Sequence, residues 1–425
     1  MKIKTIKKDN YNLHIIKTNN TKKINLQINF KNLLNKSEIT IRNLLRMNLI
    51  QSTKKYPSER LLNIASENLY DITYGATGII SSNISILSFD VSFVDPSFLK
   101  EDIFEKDLAF LFDIIFNPNV SENKFDKMNF ELTCERLKAN IALDNEEVEH
   151  YAQNKFLEYM DSNAYFSYNP NGYLHDLKNI DEKKLYAAYI KMINEDSVDA
   201  FIIGNVDEKI VEKIFDKYFI LKSKRKYIDI EFPKYELFRK EINEVTEYRD
   251  INQSKLFIGF KTEPLTLFEK QYVSYIYSNI LGGSSDSKLF MNVREKNSLC
   301  YYIYSTIRST SDIMIISSGI DCANYDKTVE LIKNEVLNMK NGKFDNEDIN
   351  KAISAYLNGY ESILDSQKQI LSNIISHVYL GFDLVEDRIK NIKKVTKEDI
   401  INLAKKIHID TIYLLHGGDR FEKDI

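Results

Sequence analysis

Zinc chemistry would need imidazoles or thiolates that a helix or tight turn can present together, and the supply in this sequence is thin. The six histidines are His14, His150, His175, His377, His408 and His416, and no two stand four residues apart. A metal site would therefore have to draw on residues far apart in the chain. His408 and His416 flank the last strand-like run, where partly buried or solvated imidazoles are both compatible with the pattern. Cys134, Cys300 and Cys322 are odd in number and lack paired spacing, which suits neither a disulfide framework nor a thiolate zinc site. Cys134 also has Glu131 and Glu135 beside it, and their charge opposes a reactive thiolate, so it reads as a small core or boundary residue. Glu131 and Glu135 themselves share a helix face at i,i+4. Two carboxylates so placed could act as acid and base, or could form a solvated face with Arg136 and Lys138 as charge partners. No G-x-G-x-x-G, phosphate-loop or G-x-S-x-G pattern occurs. Gly282 and Gly283 lack the lysine and preceding strand of a phosphate site and read as a helix stop followed by a turn.

The elements that must position these residues are legible from periodicity. Ile24, Leu26, Ile28 and Phe30 alternate with polar residues as in a strand, and Leu87, Phe89, Val91 and Phe93 do the same after a slip of phase near Leu87. Between them the pattern predicts a helix from about Ser37, as N-cap, to about Ile50, and a second over "SERLLNIASENLYDI". A helix ending at Asn117-Pro118 precedes a long one from near Ser121 through Glu135, with a bend near Asp144-Asn145. After the apolar strand "VDAFIIGN" and one more helix, an irregular charged stretch with a proline occupies 227–248. The order then restarts: a strand "SKLFIGFKT", a helix "LFEKQYVSYIYSNIL", the turn "GGSSDS", a strand "DIMIISSGI", helices from Asp326 to about Leu380, and a last helix and strand. This predicts an α+β protein of two similar sandwich domains, 1–226 and 249–425, joined by a linker at 227–248, each with a mostly antiparallel sheet against helices.

With 425 residues the chain is long enough for two cores. Its 58 basic and 62 acidic residues are interspersed, so no concentrated field exists to draw in nucleic acid, and short clusters such as "LKSKRKY" (221–227) read as solvated ends of elements. The basic start "MKIKTIKKDN" is not followed by the apolar stretch of a signal peptide, and no run of roughly 18 apolar residues occurs. The expectation is a soluble, cytoplasmic protein with no membrane or nucleic-acid partner.

Four stretches in this order, "YGATGI" (74–79, read as a turn), "VDAFIIGNVDEKIVEKIF", "LGGSSDSKLFMNVREKNSLCYYIYS" and "GIDCANYDKTVELIKNEV", resemble the pitrilysin/insulinase family of zinc peptidases over nearly the entire chain. The resemblance implies two pitrilysin-like domains, of which the first in active members carries H-x-x-E-H on a helix with a downstream glutamate completing the zinc shell. The helix carrying "NLLRM" is similar to that one, which puts Asn43 and Met47 at the histidine positions, Arg46 at the general-base position and Glu135 at the downstream glutamate. Arginine cannot serve as the base, and methionine is a poor zinc ligand, so the resemblance implies a degenerate motif and no metal or cofactor bound by this chain. In "VREKNSLCY" it implies that Arg294 and Tyr301 hold a substrate carbonyl or oxyanion, with Tyr302 as the rival ring. An ion pair for Arg294 and a core position for Tyr301 are the structural alternatives. The resemblance also implies, for Gly282 and Gly283, the place of a glycine-rich loop that contacts substrate in some non-catalytic homologues, beside the local reading as a helix stop and turn. By resemblance, this is a non-catalytic subunit of a heterodimeric peptidase acting on short or unfolded peptides, with zinc in a homologous H-x-x-E-H partner. The likeness extends to the bacterial subunits whose family name links them to 5-aminopentanol modification of elongation factor P. A catalytically silent scaffold of the same fold is the alternative.

Overall fold

The computed structural model describes residues 2–221, 224–235, 238–364 and 366–417. Residues 222 and 223 of the basic cluster and 236 and 237 of the charged stretch lie outside these. Two compact units form, each with a sheet packed against helices: Met1–Leu143 with Asn169–Ile230 and Gln367–Ser372, and Asp144–Tyr168 with Glu231–Ser366 and Asn373–Ile425.

The first unit contains β1 (Ile3–Lys7), β2 (Asn12–Lys17), β3 (Lys23–Leu33), β4 (Thr73–Ser81), β5 (Ile84–Val94), the short hairpin β6 (Val120–Ser121) and β7 (Lys124–Phe125), and β8 (Ser197–Gly204). Its main sheet runs β1-β2-β8-β3-β5-β4, antiparallel except for the β2–β8 pair. All of β8 is buried, as a central apolar run should be. The alternating Ile24, Leu26, Ile28 and Phe30 of β3 enter the core, yet the opposite face is also covered. There Lys31 meets Asp199 at 2.7 Å, and Asn25 bonds Gln367. Burial alone would push the Asp199 carboxyl up, but hydrogen bonds from His14 and Lys31 and the lysine charge hold it at about 2. The β3–β5 register is unbroken from Lys23↔Val94 to Leu33↔Ile84, so the slip of phase near Leu87 reflects burial of both Ile86 and Leu87 rather than a bulge.

Four helices of this unit matter for the site: α1 (Ile39–Leu49), α2 (Glu59–Glu67), α3 (Phe104–Phe116) and α4 (Lys127–Glu146). Ser58 caps α2 by accepting the Leu61 amide. Ser37 is not the cap of α1. It lies in a 3-10 turn, Lys36–Glu38, whose cap is Asn35, because the longer asparagine side chain reaches the Ser37 amide and hydroxyl. "YGATGI" is likewise not a turn: it lies within edge strand β4, its two glycines in paired register with Asp90 and Leu87 of β5.

In the second unit, α5 (Val148–Met160) begins after an extended Glu147, whose side chain accepts the His150 amide, placing the break just beyond the expected bend. Its strands are β9 (Asn243–Arg249), β10 (Ser254–Thr262), β11 (Cys300–Arg308), β12 (Ile313–Ile320) and β13 (Ile407–Gly417), in the order β11-β12-β10-β13-β9 with only β13–β9 parallel. Leu256, Ile258 and Phe260 face the helical core, while Phe257 on the other face stacks on Phe156 of α5 at 5.4 Å. Strand for strand, β9-β13-β10-β12-β11 repeats β2-β8-β3-β5-β4, including the one parallel pair. The predicted repeat is thus a repeat of topology.

The helix expected over 267–281 is not uniform. Glu269–Val273 and Asn279–Gly283 wind as π-helical turns on either side of Ser274–Ser278, and the chain leaves helical geometry at Gly282 (φ −158°, ψ 17°). A Cβ on Gly282 would lie 2.7 Å from the Ser305 amide nitrogen, so the approach of this helix end to β11 requires glycine.

Candidate functional site

Helix α1 buries Leu44, Leu45 and Leu49 in the core, while Asn43 and Arg46 lie on the side that meets edge strand β4. Asn43 and Arg46, one helical turn apart, are joined there: Arg46 Nε donates to Asn43 Oδ1 at 2.7 Å, and a terminal guanidinium nitrogen donates to the Ala76 carbonyl of β4 at 3.0 Å. Asn43 Nδ2 donates in turn to the carbonyls of Ile39 and Pro170. Gly78 makes the fit possible, since a Cβ there would lie 2.8 Å from Asn43 Oδ1 and 3.0 Å from Arg46 Nε. Burial lowers the Arg46 pKa from its ordinary value. Met47 packs, partly buried, against the core.

Glu135 is not drawn into this cluster. Its side chain is 73% exposed and lies 3.8 Å from Lys138, while Glu131 lies 3.8 Å from Lys127, so the two form a solvated face of α4. Arg136, expected beside them, turns instead to Gln51 and makes a two-pronged bond to Glu59. Burial, with the charges of Glu135, Glu182 and Glu131, pushes the Cys134 thiol up to about 11, which leaves it inert as a nucleophile.

These residues do not fit zinc. A guanidinium already bonded to two oxygens, an amide and a thioether supply no anionic or imidazole donor, and a cation repels a metal ion. Among the described residues, no group of three or more His, Cys, Asp or Glu side chains is placed to hold a metal.

In the second unit, Arg294 sits on the helical segment Phe290–Glu295, with its guanidinium 4.5 Å from the Phe290 ring centre and 3.9 Å from Glu295. Tyr301 is not a core ring. It is 65% exposed at a break in the β11–β12 register, where Cys300 pairs with Ile320 but Tyr302 pairs with Gly319. The rival Tyr302 is committed elsewhere, donating to Glu149 at 2.6 Å and stacking on Tyr304. Among the described residues, no hydrogen bond engages the Arg294 guanidinium or the Tyr301 hydroxyl.

A feature with no sequence motif lies beside them. The helix over 269–283, the segment Phe290–Glu295, strand β11 and the helices Asn346–Ile363 and Val385–Asn391 line an open cavity of about 830 Å³. Gly282, Gly283 and Phe290 line it, whereas Arg294 and Tyr301 do not. Its cations are Lys270, which is paired with Asp312 and bonded to the Ser309 carbonyl, and Arg388. Tyr356 and Tyr360 stack on its wall at 4.4 Å, and their i,i+4 spacing on one helix is the only trace of this wall in the sequence.

Comparison with known proteins matches residues 179–356 to the family described as the Peptidase M16 inactive domain. Over 410 residues, 96% of each chain, the sequence is 29% identical to the "Probable inactive metalloprotease YmfF" of Bacillus subtilis. A conserved protein from Enterococcus faecalis superposes with a TM-score of 0.92 at 27% identity, covering 98% of this chain and 99% of that one. A peptidase M16 inactive domain from Pseudomonas fluorescens shares the fold, with a TM-score of 0.79 at 14% identity over 99% of both chains. Among the described residues, no helix is long and apolar enough to cross a membrane.

Proposed function

We propose that this chain, whose residues 179–356 match the Peptidase M16 inactive domain, is a catalytically silent protein of that fold, working through binding and assembly rather than hydrolysis. The observation that supports this reading is the Arg46–Asn43–Ala76 bonding, at positions that the resemblance matches to the zinc motif. The test is metal analysis of the purified full chain alongside hydrolysis of an unfolded peptide with added zinc. Expected are less than stoichiometric zinc and no cleavage. One zinc per chain with cleavage would overturn the proposal.

One observation favours a second, finer reading. Arg294 and Tyr301 are solvent-accessible donors with no competing hydrogen bonds among the described residues, as residues that assist a reaction in another subunit would be. On this reading the chain is the non-catalytic half of a cytoplasmic heterodimer. Its H-x-x-E-H partner holds the zinc, short or unfolded peptides are cut there, and exposed sheet edges accept extended chains. The link to elongation factor P modification belongs to the same reading and would be tested by analysing that factor's modification in cells lacking this protein. Native mass spectrometry of the protein from its own cells comes first. A one-to-one complex with a homologue supports the reading. R294A and Y301A should then each lower the complex's peptidase rate, by up to about 10²–10³ if they act as oxyanion donors, without loss of assembly. An unchanged rate with assembly intact would leave the scaffold reading alone standing.

A further inference from the structure

The cavity of the second unit has the make-up of a ligand site whose charge is incomplete. Arg388 is only 7% exposed, and no carboxylate among the described residues pairs with its guanidinium. Its Nε donates to the Asp383 carbonyl at 2.6 Å and one terminal nitrogen to the Tyr360 hydroxyl, which leaves the other terminal nitrogen without a bond to a described residue. The nearby Asp383 carboxylate is taken up by the Tyr272 hydroxyl and Asn391. A buried guanidinium served only by neutral acceptors is costly, and the usual resolution is an anion. Lys270, the other cation of the described wall, is already matched by Asp312, and none of the described lining residues is acidic. Among the described residues, the wall therefore carries one cation without a matching carboxylate.

The remaining lining gives the rest of the ligand's chemistry. The rings of Tyr356 and Tyr360 are stacked, Phe382 carries the Arg388 guanidinium 5.5 Å from its centre, and Tyr304 and Phe290 complete an aromatic wall. Ser278 and Ser305 have each turned a hydroxyl to the other's carbonyl, so the floor is closed by internal bonds. About 830 Å³ is within the usual range for small-molecule sites.

We propose that this cavity binds an organic monoanion, a carboxylate attached to an aromatic or other planar apolar group, with Arg388 taking the carboxylate and the tyrosine wall the ring. Such a carboxylate could belong to a free small acid or to the C-terminus of a peptide. The site lies entirely within the second unit and does not depend on a peptidase partner.

The test is calorimetric titration of the full chain with N-acetyltyrosine, N-acetyltyrosinamide and inorganic phosphate. Expected is binding of the acid, with the amide and phosphate each weaker by roughly tenfold or more. R388M should abolish binding of the acid. Because Arg388 also bonds the Tyr360 hydroxyl and could affect folding, T306E supplies an independent check. Thr306 lines the cavity from an exposed strand position, so a carboxylate there should repel the acid and leave the melting temperature of the unliganded protein unchanged. The proposal is overturned if acid and amide bind alike, if phosphate binds as tightly as the acid, if no binding is seen up to about 10 mM, or if T306E, folded as the wild type, binds the acid equally well. A tetrapeptide ending in tyrosine then separates the two sources. Binding tighter than N-acetyltyrosine and lost on C-terminal amidation assigns a peptide terminus, and equal binding assigns a free acid.

Discussion

Replacing Arg46 by methionine probes the residue that the family resemblance matches to the general-base position. The native side chain makes two charge-assisted hydrogen bonds, at 2.7 Å to Asn43 Oδ1 and 3.0 Å to the Ala76 carbonyl. Bonds from a charged donor contribute about 1.5–3 kcal/mol each, so their gross worth is about 3–6 kcal/mol. Part of this is offset, because burial depresses the Arg46 pKa and methionine removes that desolvation cost while refilling the space of the aliphatic stem. The net loss expected for R46M is about 2–4 kcal/mol, since two acceptors are left without their donor. R46K should fall between, because an ammonium group lacks the planar fork that serves both acceptors. With no tryptophan in the chain, urea unfolding is followed by far-UV circular dichroism. Two units can unfold separately, so hydrogen exchange of a peptide covering Thr73–Ser81 supplies the local reading. G78A tests the same contact from the other side, as its methyl would press on both Asn43 and Arg46, and its cost should shrink by about 1 kcal/mol in the R46M background. A loss below about 0.5 kcal/mol for R46M, or an R46K protein as stable as wild type, would refute the reasoning.

Two further outcomes follow from buried groups. Asp107 is fully buried in α3 with both carboxylate oxygens unpartnered among the described residues, and desolvation, helped by Asp102, pushes its pKa up to about 7. The unfolded chain gives up this proton near pH 4 and the folded chain near pH 7, so between these values the folded state binds more protons and its stability falls as pH rises. D107N should therefore gain on wild type between about pH 5 and 8, and an equal difference in unfolding midpoint at the two values would count against this. G282A, whose methyl would meet the Ser305 amide nitrogen at 2.7 Å, should cost about 1–3 kcal/mol in thermal melting, and an unchanged melting temperature would mean that the helix end can move away from β11.

The sequence by itself determined the local elements and their repetition. Side-chain period is a property of the backbone, so Ile24 to Phe30, Phe89 to Phe93 and the apolar run of β8 could be read without knowing their neighbours. The absence of histidines four apart is likewise visible in the bare text, and so is the aromatic pair Tyr356 and Tyr360. Tertiary structure decided what those elements do to one another. "YGATGI" is an edge strand because β5 pairs with it and because Gly78 lets Asn43 and Arg46 approach. Arg136 left the glutamates of its own helix for Glu59, and Tyr301 went to solvent at a register break that no alternation pattern announces. The cavity around Arg388 draws on elements scattered over the second half of the chain. Its charge imbalance exists only once Lys270 has found Asp312 and Arg388 has found no carboxylate among the described residues, because pairing between distant side chains is set by packing and leaves no spacing in the sequence to read.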